Sequence, residues 1–469
     1  MPGRKAMFML AAALAAGSVV TTPAAAAGSG GTASSVDRRI ELMQRQIDRL
    51  QSELDGLKQE KTQRAAAEAT AQQPEQAAAA DSATQETASA QDAQRPRHSG
   101  KGFVWDTSST KTKDTGITIG GALRFQYTTG SYQHGLNHRG GDIDFDTFRL
   151  DLDGKVHGII LSTQWRWYSY MQTLQHGWIG YDFTPKNQFQ LGLTRIPFGN
   201  QPFNSHNFFF SSDYYVGLED TYAMGGLYVH SGDAWNVQAG FFKNDAATAA
   251  SGLNKGYSYV VLGEREPGQG INAGVAGGAA ARAINSGALR VARTFHPEAD
   301  LSVEVGGSAL YGMLGRGGAS GNRNVGRYGA YAVHTNIDYR RWNFQAEAVH
   351  YAYRMDGHPT RMVVGAYAFY DTIPARANIF TLNGPYKLPV DWGPIDSLTF
   401  YNDNSLMVNK SGGLGNTFMI VTGMAISAGD LYTYFDFVNA HNQPFIGGSM
   451  GGHEHGVDNR LNINFGYYF

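Results

Sequence analysis

The chain ends on VDNRLNINFGYYF, residues Val457 to Phe469. Val457, Asn459, Leu461, Ile463, Phe465, Tyr467 and Phe469 fall on one face and Asp458, Arg460, Asn462, Asn464, Gly466 and Tyr468 on the other. One set is nearly all apolar and the other nearly all polar. A period of two with aromatics clustered at one end fits a strand that meets lipid outside and water inside. A strand of a soluble sandwich shows the same alternation, so the rest of the chain has to decide.

Composition narrows the field. Lys+Arg 38 against Asp+Glu 40 leaves a net charge of -2 and no whole-chain electrostatic case for a nucleic-acid partner. With Cys 0, disulfides, thiolate catalysis and thiolate metal sites are excluded, which suits a protein of the cell envelope. Arg4 and Lys5 precede an apolar run from Ala6 to Val20 and an alanine tract ending at Ala27, so residues 1–27 read as a cleaved signal peptide. No later run of about 18 apolar residues exists, and only a closed barrel could still span a membrane. Gly 59, Tyr 25 and Phe 25 suit repeated hairpins with aromatic girdles.

Between the signal and the C-terminal region lie two segments of different character. Ile40, Ile47 and Leu54 take the a positions of a heptad and Val36, Met43, Leu50 and Leu57 the d positions, so residues 36–61 read as a short coiled-coil oligomerisation helix. Isoleucine at a with leucine at d favours a dimer in a free peptide, whereas a ring of barrels favours a trimer. The other reading is a helix packed on its own domain. Residues 62–115 are rich in Ala, Gln, Glu and Thr and read as a low-complexity periplasmic linker.

From residue 116 to 469 the alternating stretches recur: 116–128, 143–154, 158–170, 174–184, 187–197, 222–231, 234–244, 286–296, 299–311, 326–338, 341–354, 361–372, 395–407, 416–427, 430–439 and 457–469. These are sixteen candidate strands. Tight connections at Gly154 to His157, Pro185 to Lys186, Gly232 to Asp233, Pro297 to Glu298, Tyr339 to Arg340 and Ala428 to Gly429 alternate with longer ones. Short turns on one rim and long loops on the other predict an all-β transmembrane antiparallel barrel of about 16 strands, preceded by the coiled-coil helix. Ile373 to Pro394 is the exception, a long segment where a tight turn is due. The terminal Phe469 resembles the C-terminal signal by which bacterial outer-membrane barrels are recognised for insertion.

Several stretches resemble the phosphate-selective porin O and P type: FDTFRLDLDG at Phe145 to Gly154, WRWYSY at Trp165 to Tyr170, LGLTRIPFG at Leu191 to Gly199, and the terminal GYYF. The resemblance covers most of residues 116–469 and implies a homotrimeric, sixteen-stranded channel in the outer membrane of a Gram-negative bacterium, with its N-terminal segment in the periplasm. It does not carry over phosphate selectivity. No dense basic ladder is evident, and Asp151, Asp153, Asp182, Glu304, Glu347 and Asp436 also fall on inward faces.

If apolar positions face lipid, Arg124, Arg149, Arg166 and Arg460 point inward from the first three strands and the last, which adjoin in a closed barrel. They are expected to form one basic wall patch that favours anions. The other reading pairs each with a neighbouring aspartate. Asp151, Asp182, Glu347 and Asp436 are the expected pore-lining acids. The connection Pro197 to Thr221 carries Phe203, Phe208, Asp213, Glu219 and Asp220 among a run of aromatics. Folded into the lumen it makes a constriction loop; folded outward its rings pack at a trimer interface or in the outer-leaflet girdle. Gly447 to Gly451 matches a nucleophile-elbow pattern without its strand-to-helix context, and His453 to His455 earns no ligand assignment, so no enzyme, cofactor or metal site is expected. The expected role is passive diffusion of small hydrophilic, preferentially anionic solutes, with a structural barrel tethered by its coiled coil as the alternative.

Overall fold

The computed structural model describes residues 116–246, 256–265, 280–316, 323–452 and 456–469. The expected signal peptide, coiled-coil segment and linker lie outside the described residues, as do His453 to His455.

Strands β1 (Gly116–Gly130), β2 (Asp142–Val156), β3 (Ile159–Trp167), β4 (Gln172–Thr184), β5 (Asn187–Arg195), β6 (Tyr222–Ser231) and β7 (Trp235–Asp245) follow one another in an antiparallel wall. After β8 (Val260–Glu264) the wall continues through β9 (Arg282–Glu298), β10 (Leu301–Arg316), β11 (Arg323–Tyr339) and β12 (Trp342–Met355). The last third holds β13 (Arg361–Ala366), β14 (Phe369–Pro374), β15 (Arg376–Asn383), β16 (Tyr386–Trp392), β17 (Ile395–Val408), β18 (Thr417–Ala428), β19 (Leu431–His441) and β20 (Asp458–Tyr468). Strand β1 pairs with both β2 and β20, which closes the barrel. Strands β15 and β16 both lie between β12 and β17 and continue one another, so the seventeen segments of the sheet make sixteen wall strands.

The count agrees with the sequence reading, but one strand does not. Residues 361–372 are not a wall strand: β13 and β14 form a hairpin that pairs with β8 in a separate three-stranded sheet. The wall strand is Arg376 to Trp392, the segment that read as an anomalously long connection. Pro389 disguises it, and the register shifts between Pro389 and Trp392, where a proline without an N–H is tolerated. The tight turn then falls at Gly393 and Pro394, and every even-numbered connection is tight. Left-handed backbone at His157, Gly158, Arg340, Gly393 and Gly429 serves these reversals.

The pleat sorts the side chains as lipid and lumen require. On β1, Ile117 and Ile119 are 57% and 66% exposed while Arg124 and Gln126 are 1% and 0% exposed. The exposed set continues around the wall through Phe148, Ile179, Leu191, Phe241, Leu289, Val333, Phe344, Leu382, Phe400 and Phe437. A charge on the lipid face costs about 2–4 kcal/mol at the bilayer midplane, and turning it inward avoids that cost.

The closing seam is held by the last residue. Gly121 N–H donates to the Phe469 carbonyl at 2.9 Å and Phe469 N–H donates to Gly121 at 3.1 Å. A Cβ on Gly121 would overlap the Arg149 carbonyl and lie 2.7 Å from the Phe469 ring. Gly121→Val is expected to lower the temperature at which the folded barrel loses its compact electrophoretic mobility by several degrees. Gly307→Ala, where a Cβ meets nothing nearer than 3.5 Å, serves as the control.

Candidate functional site

The third long loop, residues 196–221, leaves the wall at β5 and crosses the lumen. An irregular loop inside a closed barrel has no ladder to satisfy its backbone, so each buried N–H needs an acceptor. Carboxylates of the opposite wall supply them. Asn200 N–H donates to Glu347 at 2.7 Å, His206 N–H to Asp403 at 2.5 Å and Phe208 N–H to Asp436 at 3.1 Å. The loop's own Glu219 accepts from the N–H groups of Asn204 at 2.8 Å and Ser211 at 3.0 Å. Glu347 and Asp436 therefore point inward but are engaged by the loop instead of facing an open path. Asp151 pairs with Arg149, and Asp182, partly exposed, pairs with Lys155 at 3.1 Å.

The rings of this loop are the second half of its grip. Phe203, Phe208, Phe209, Phe210, Tyr214 and Tyr215 are buried, Phe210 stacks on Tyr214 at 4.1 Å, and Phe208 meets Tyr434 of β19 at 6.1 Å. Burying each such ring contributes about 1.5–3 kcal/mol, which rules out leaving the loop in water. Tyr257 and Tyr259 pack on Tyr214 from beside β8, and the inner sheet of β8, β13 and β14 closes over the same region. Ser449, from the elbow-like glycine stretch, donates to the Asp371 carboxylate and to the Thr372 carbonyl of that sheet, which ties its loop to the sheet.

All four expected arginines point into the barrel. Arg149 and Arg166 are direct partners across β2 and β3, and Arg124 is opposite Thr147, two residues along from Arg149. Arg460 stands apart. It pairs with Gly130 while Arg124 pairs with Gly466, a separation of six residues, or about 20 Å along the strand at roughly 3.3 Å each. Register across the closing seam sets this offset, because β1 runs six residues beyond the partner of Tyr468 toward the tight turns.

Their partners differ. Arg124 lies 2.8 Å from Asp146, and Arg149 lies 2.6 Å from Asp151. Arg166 has no ion pair among the described residues; its Nε donates to Gln164 at 2.5 Å and its guanidinium lies 4.7 Å from the Tyr257 ring centre. One of its terminal nitrogens is buried without a hydrogen-bond partner. Arg460 lies 5.0 Å from the Phe209 ring centre and donates to Tyr132, Phe445 and Asn462. Two further arginines escaped the sequence reading. Arg195 holds Asp220 at 2.6 Å and the Pro202 carbonyl at 2.7 Å, tying down the root of the loop. Arg290 reaches Glu304 at 2.6 Å and the Gly199 carbonyl at 2.7 Å. Arg195 lies inside the LGLTRIPFG stretch and Arg290 on the inward phase of β9, so both signals were present.

Asp213 carries a pH dependence. Burial, and next the neighbouring Glu219, push its carboxyl up to about 7. A raised carboxyl favours the docked loop while it stays protonated. That contribution is complete below about pH 4 and falls as pH rises to about 7. Docking of the loop is therefore expected to be firmer at pH 4 than at pH 7.5, read as stronger hydrogen-exchange protection of its backbone. Asp213→Asn should reduce the difference, with Glu219, also raised by burial, contributing in the same direction.

No family model matches the sequence, and no curated protein matches it. Solved structures do. The fold is similar to an anion-selective porin from Comamonas acidovorans, at 9% identity and a TM-score of 0.49, covering 76% of this chain and 100% of that one. It is also similar to the outer membrane channel DcaP of Acinetobacter baumannii, at 11% identity and 0.47, covering 79% and 100%. The trimer form of OmpT, an outer membrane protein of Vibrio cholerae, matches at 13% identity and 0.47, covering 76% and 100%.

Proposed function

We propose that the chain is an outer-membrane porin of a Gram-negative bacterium, homotrimeric, through which small hydrophilic and preferentially anionic solutes diffuse. The observation that carries it is the division of labour in the lumen. Glu347, Asp403 and Asp436 on one wall are occupied by the third loop, while Arg166 on the other forms no ion pair among the described residues, its nearest carboxylates, Asp146 and Asp220, being held by Arg124 and Arg195. Net charge near zero is then compatible with an anion preference, because a permeating ion responds to charges within about a Debye length, roughly 8 Å at physiological salt. The likeness of FDTFRLDLDG and LGLTRIPFG to porins of the O and P type supports the same reading, with phosphate and organic anions as the solute classes to try first.

A second reading is favoured by one observation. Arg124, Arg166 and Arg460 are 1%, 1% and 0% exposed, so in this conformation the loops shut the lumen at their level. A permanently closed barrel would serve structure or tethering. Single-channel recording of the purified full chain in planar bilayers separates the two: discrete, anion-preferring steps are expected, and a correctly folded barrel that conducts nothing would leave the structural reading standing.

A further inference from the structure

On the outer surface, at the long-loop end of β11, β12 and β15, three arginines are exposed side by side. Arg327 and Arg354 are direct cross-strand partners, and Arg376 pairs with Ala352, two residues from Arg354. Their outward phase follows from their neighbours: Tyr331 and Val333 on β11, and Phe380 and Leu382 on β15, are among the exposed apolar residues of the belt. Like charges directly opposite on a sheet repel. Among the described residues none of the three makes an ion pair or a side-chain hydrogen bond, so nothing there offsets that repulsion.

Toward the midplane the surface changes in order. His350 and Asn378, both outward, share a hydrogen bond of 2.6 Å across β12 and β15, and Tyr331 lies against the His350 ring at 5.1 Å. Below them the surface is apolar, with Val333, Phe380 and Leu382 exposed. Cations at the rim, a hydrogen-bonding neck and an apolar strip make the profile of an amphiphile with an anionic head. Arginine presents a planar fork suited to phosphate.

We propose that this face binds a phosphorylated lipid of the leaflet on the long-loop side, its phosphate held by Arg327, Arg354 and Arg376 and its acyl chains lying along β11 and β15. A second copy of this chain fits less well. On the loop-side half of the described wall strands no carboxylate occupies the outward phase, so a copy would bring the arginines no counter-charge. The inference rests on the membrane placement and not on conduction, so a silent channel leaves it intact.

The test is native mass spectrometry of the full chain in detergent, titrated with diphosphoryl lipid A as the probe. Retained lipid adducts are expected on the wild type, with affinity falling about tenfold or more in the triple variant Arg327→Gln, Arg354→Gln, Arg376→Gln. Excess inorganic phosphate should not displace the lipid, and the dephosphorylated lipid should bind the wild type as weakly as the intact lipid binds the variant. Arg293→Gln, an outward arginine at the opposite rim, should leave the adduct unchanged. Because all three side chains are exposed, the variant keeps its buried contacts, and a triple lysine variant that retains part of the affinity checks that charge is what binds. Equal binding by wild type and triple variant overturns the proposal. So does equal binding of the dephosphorylated lipid, displacement by inorganic phosphate, or unchanged lipid binding in a variant whose oligomer dissociates, which would make the patch an interface between copies.

Discussion

Removing Asn204–Ser212 is expected to raise single-channel conductance severalfold and to shift the proposed channel toward cations. The deleted stretch contains Phe208, Phe209 and Phe210, and it supplies the N–H groups that occupy Asp403 and Asp436. Without it the rings no longer fill the lumen, and two carboxylates of the far wall face water. Both changes come from one deletion, which makes the pair of readouts more telling than either alone. The wall itself should survive, because its ladder from β1 round to β20 does not depend on the loop. Correct folding is checked by heat-modifiable mobility. A folded variant with wild-type conductance would show that the loop does not control the path.

The second large effect concerns selectivity, and the structure chooses the variant. Arg124 is a poor target for neutralisation because Asp146, 0% exposed, is its partner at 2.8 Å. Breaking a buried pair by removing one member costs about 3–5 kcal/mol, since the other charge is left uncompensated. Arg166 has no such partner among the described residues. Arg166→Gln therefore removes a positive charge without orphaning a negative one, and glutamine keeps hydrogen-bonding capacity toward Gln164. The reversal potential in a salt gradient is expected to move toward cation selectivity, with a shift that shrinks as total salt rises and screening strengthens. A wild-type channel that already prefers cations, or a variant with the same reversal potential, would remove Arg166 as the selectivity element.

What was legible beforehand was local in origin. A period of two is written residue by residue, so VDNRLNINFGYYF and its counterparts reveal which side chains face lipid, and Arg124, Arg149, Arg166 and Arg460 fall inward by phase alone. Turn residues are equally local, and the alternation of tight and long connections followed from them. The error at residues 361–372 has a local cause too. Arg361–Ala366 is a strand, but Met362, Val363 and Val364 are all buried, a continuous apolar run that marks a strand covered on both faces.

The sequence by itself determined that the chain forms a barrel of about sixteen strands and which phase of the correctly placed strands looks inward, because hydrophobic alternation and turn chemistry act over a few residues. The agreement in number hid one strand placed on residues 361–372 in place of Arg376 to Trp392. Only the tertiary structure decided where the third loop lands, that Glu347, Asp403 and Asp436 anchor it, that Arg460 stands about 20 Å along the strand from Arg124, and that Arg166 alone of the three grouped arginines lacks an ion pair among the described residues. The loop anchors and the closing seam join residues more than a hundred positions apart, and the arginine pairings depend on register between neighbouring strands and on what the loops bring beside them; an alternating pattern reads the same whichever way its neighbours slide.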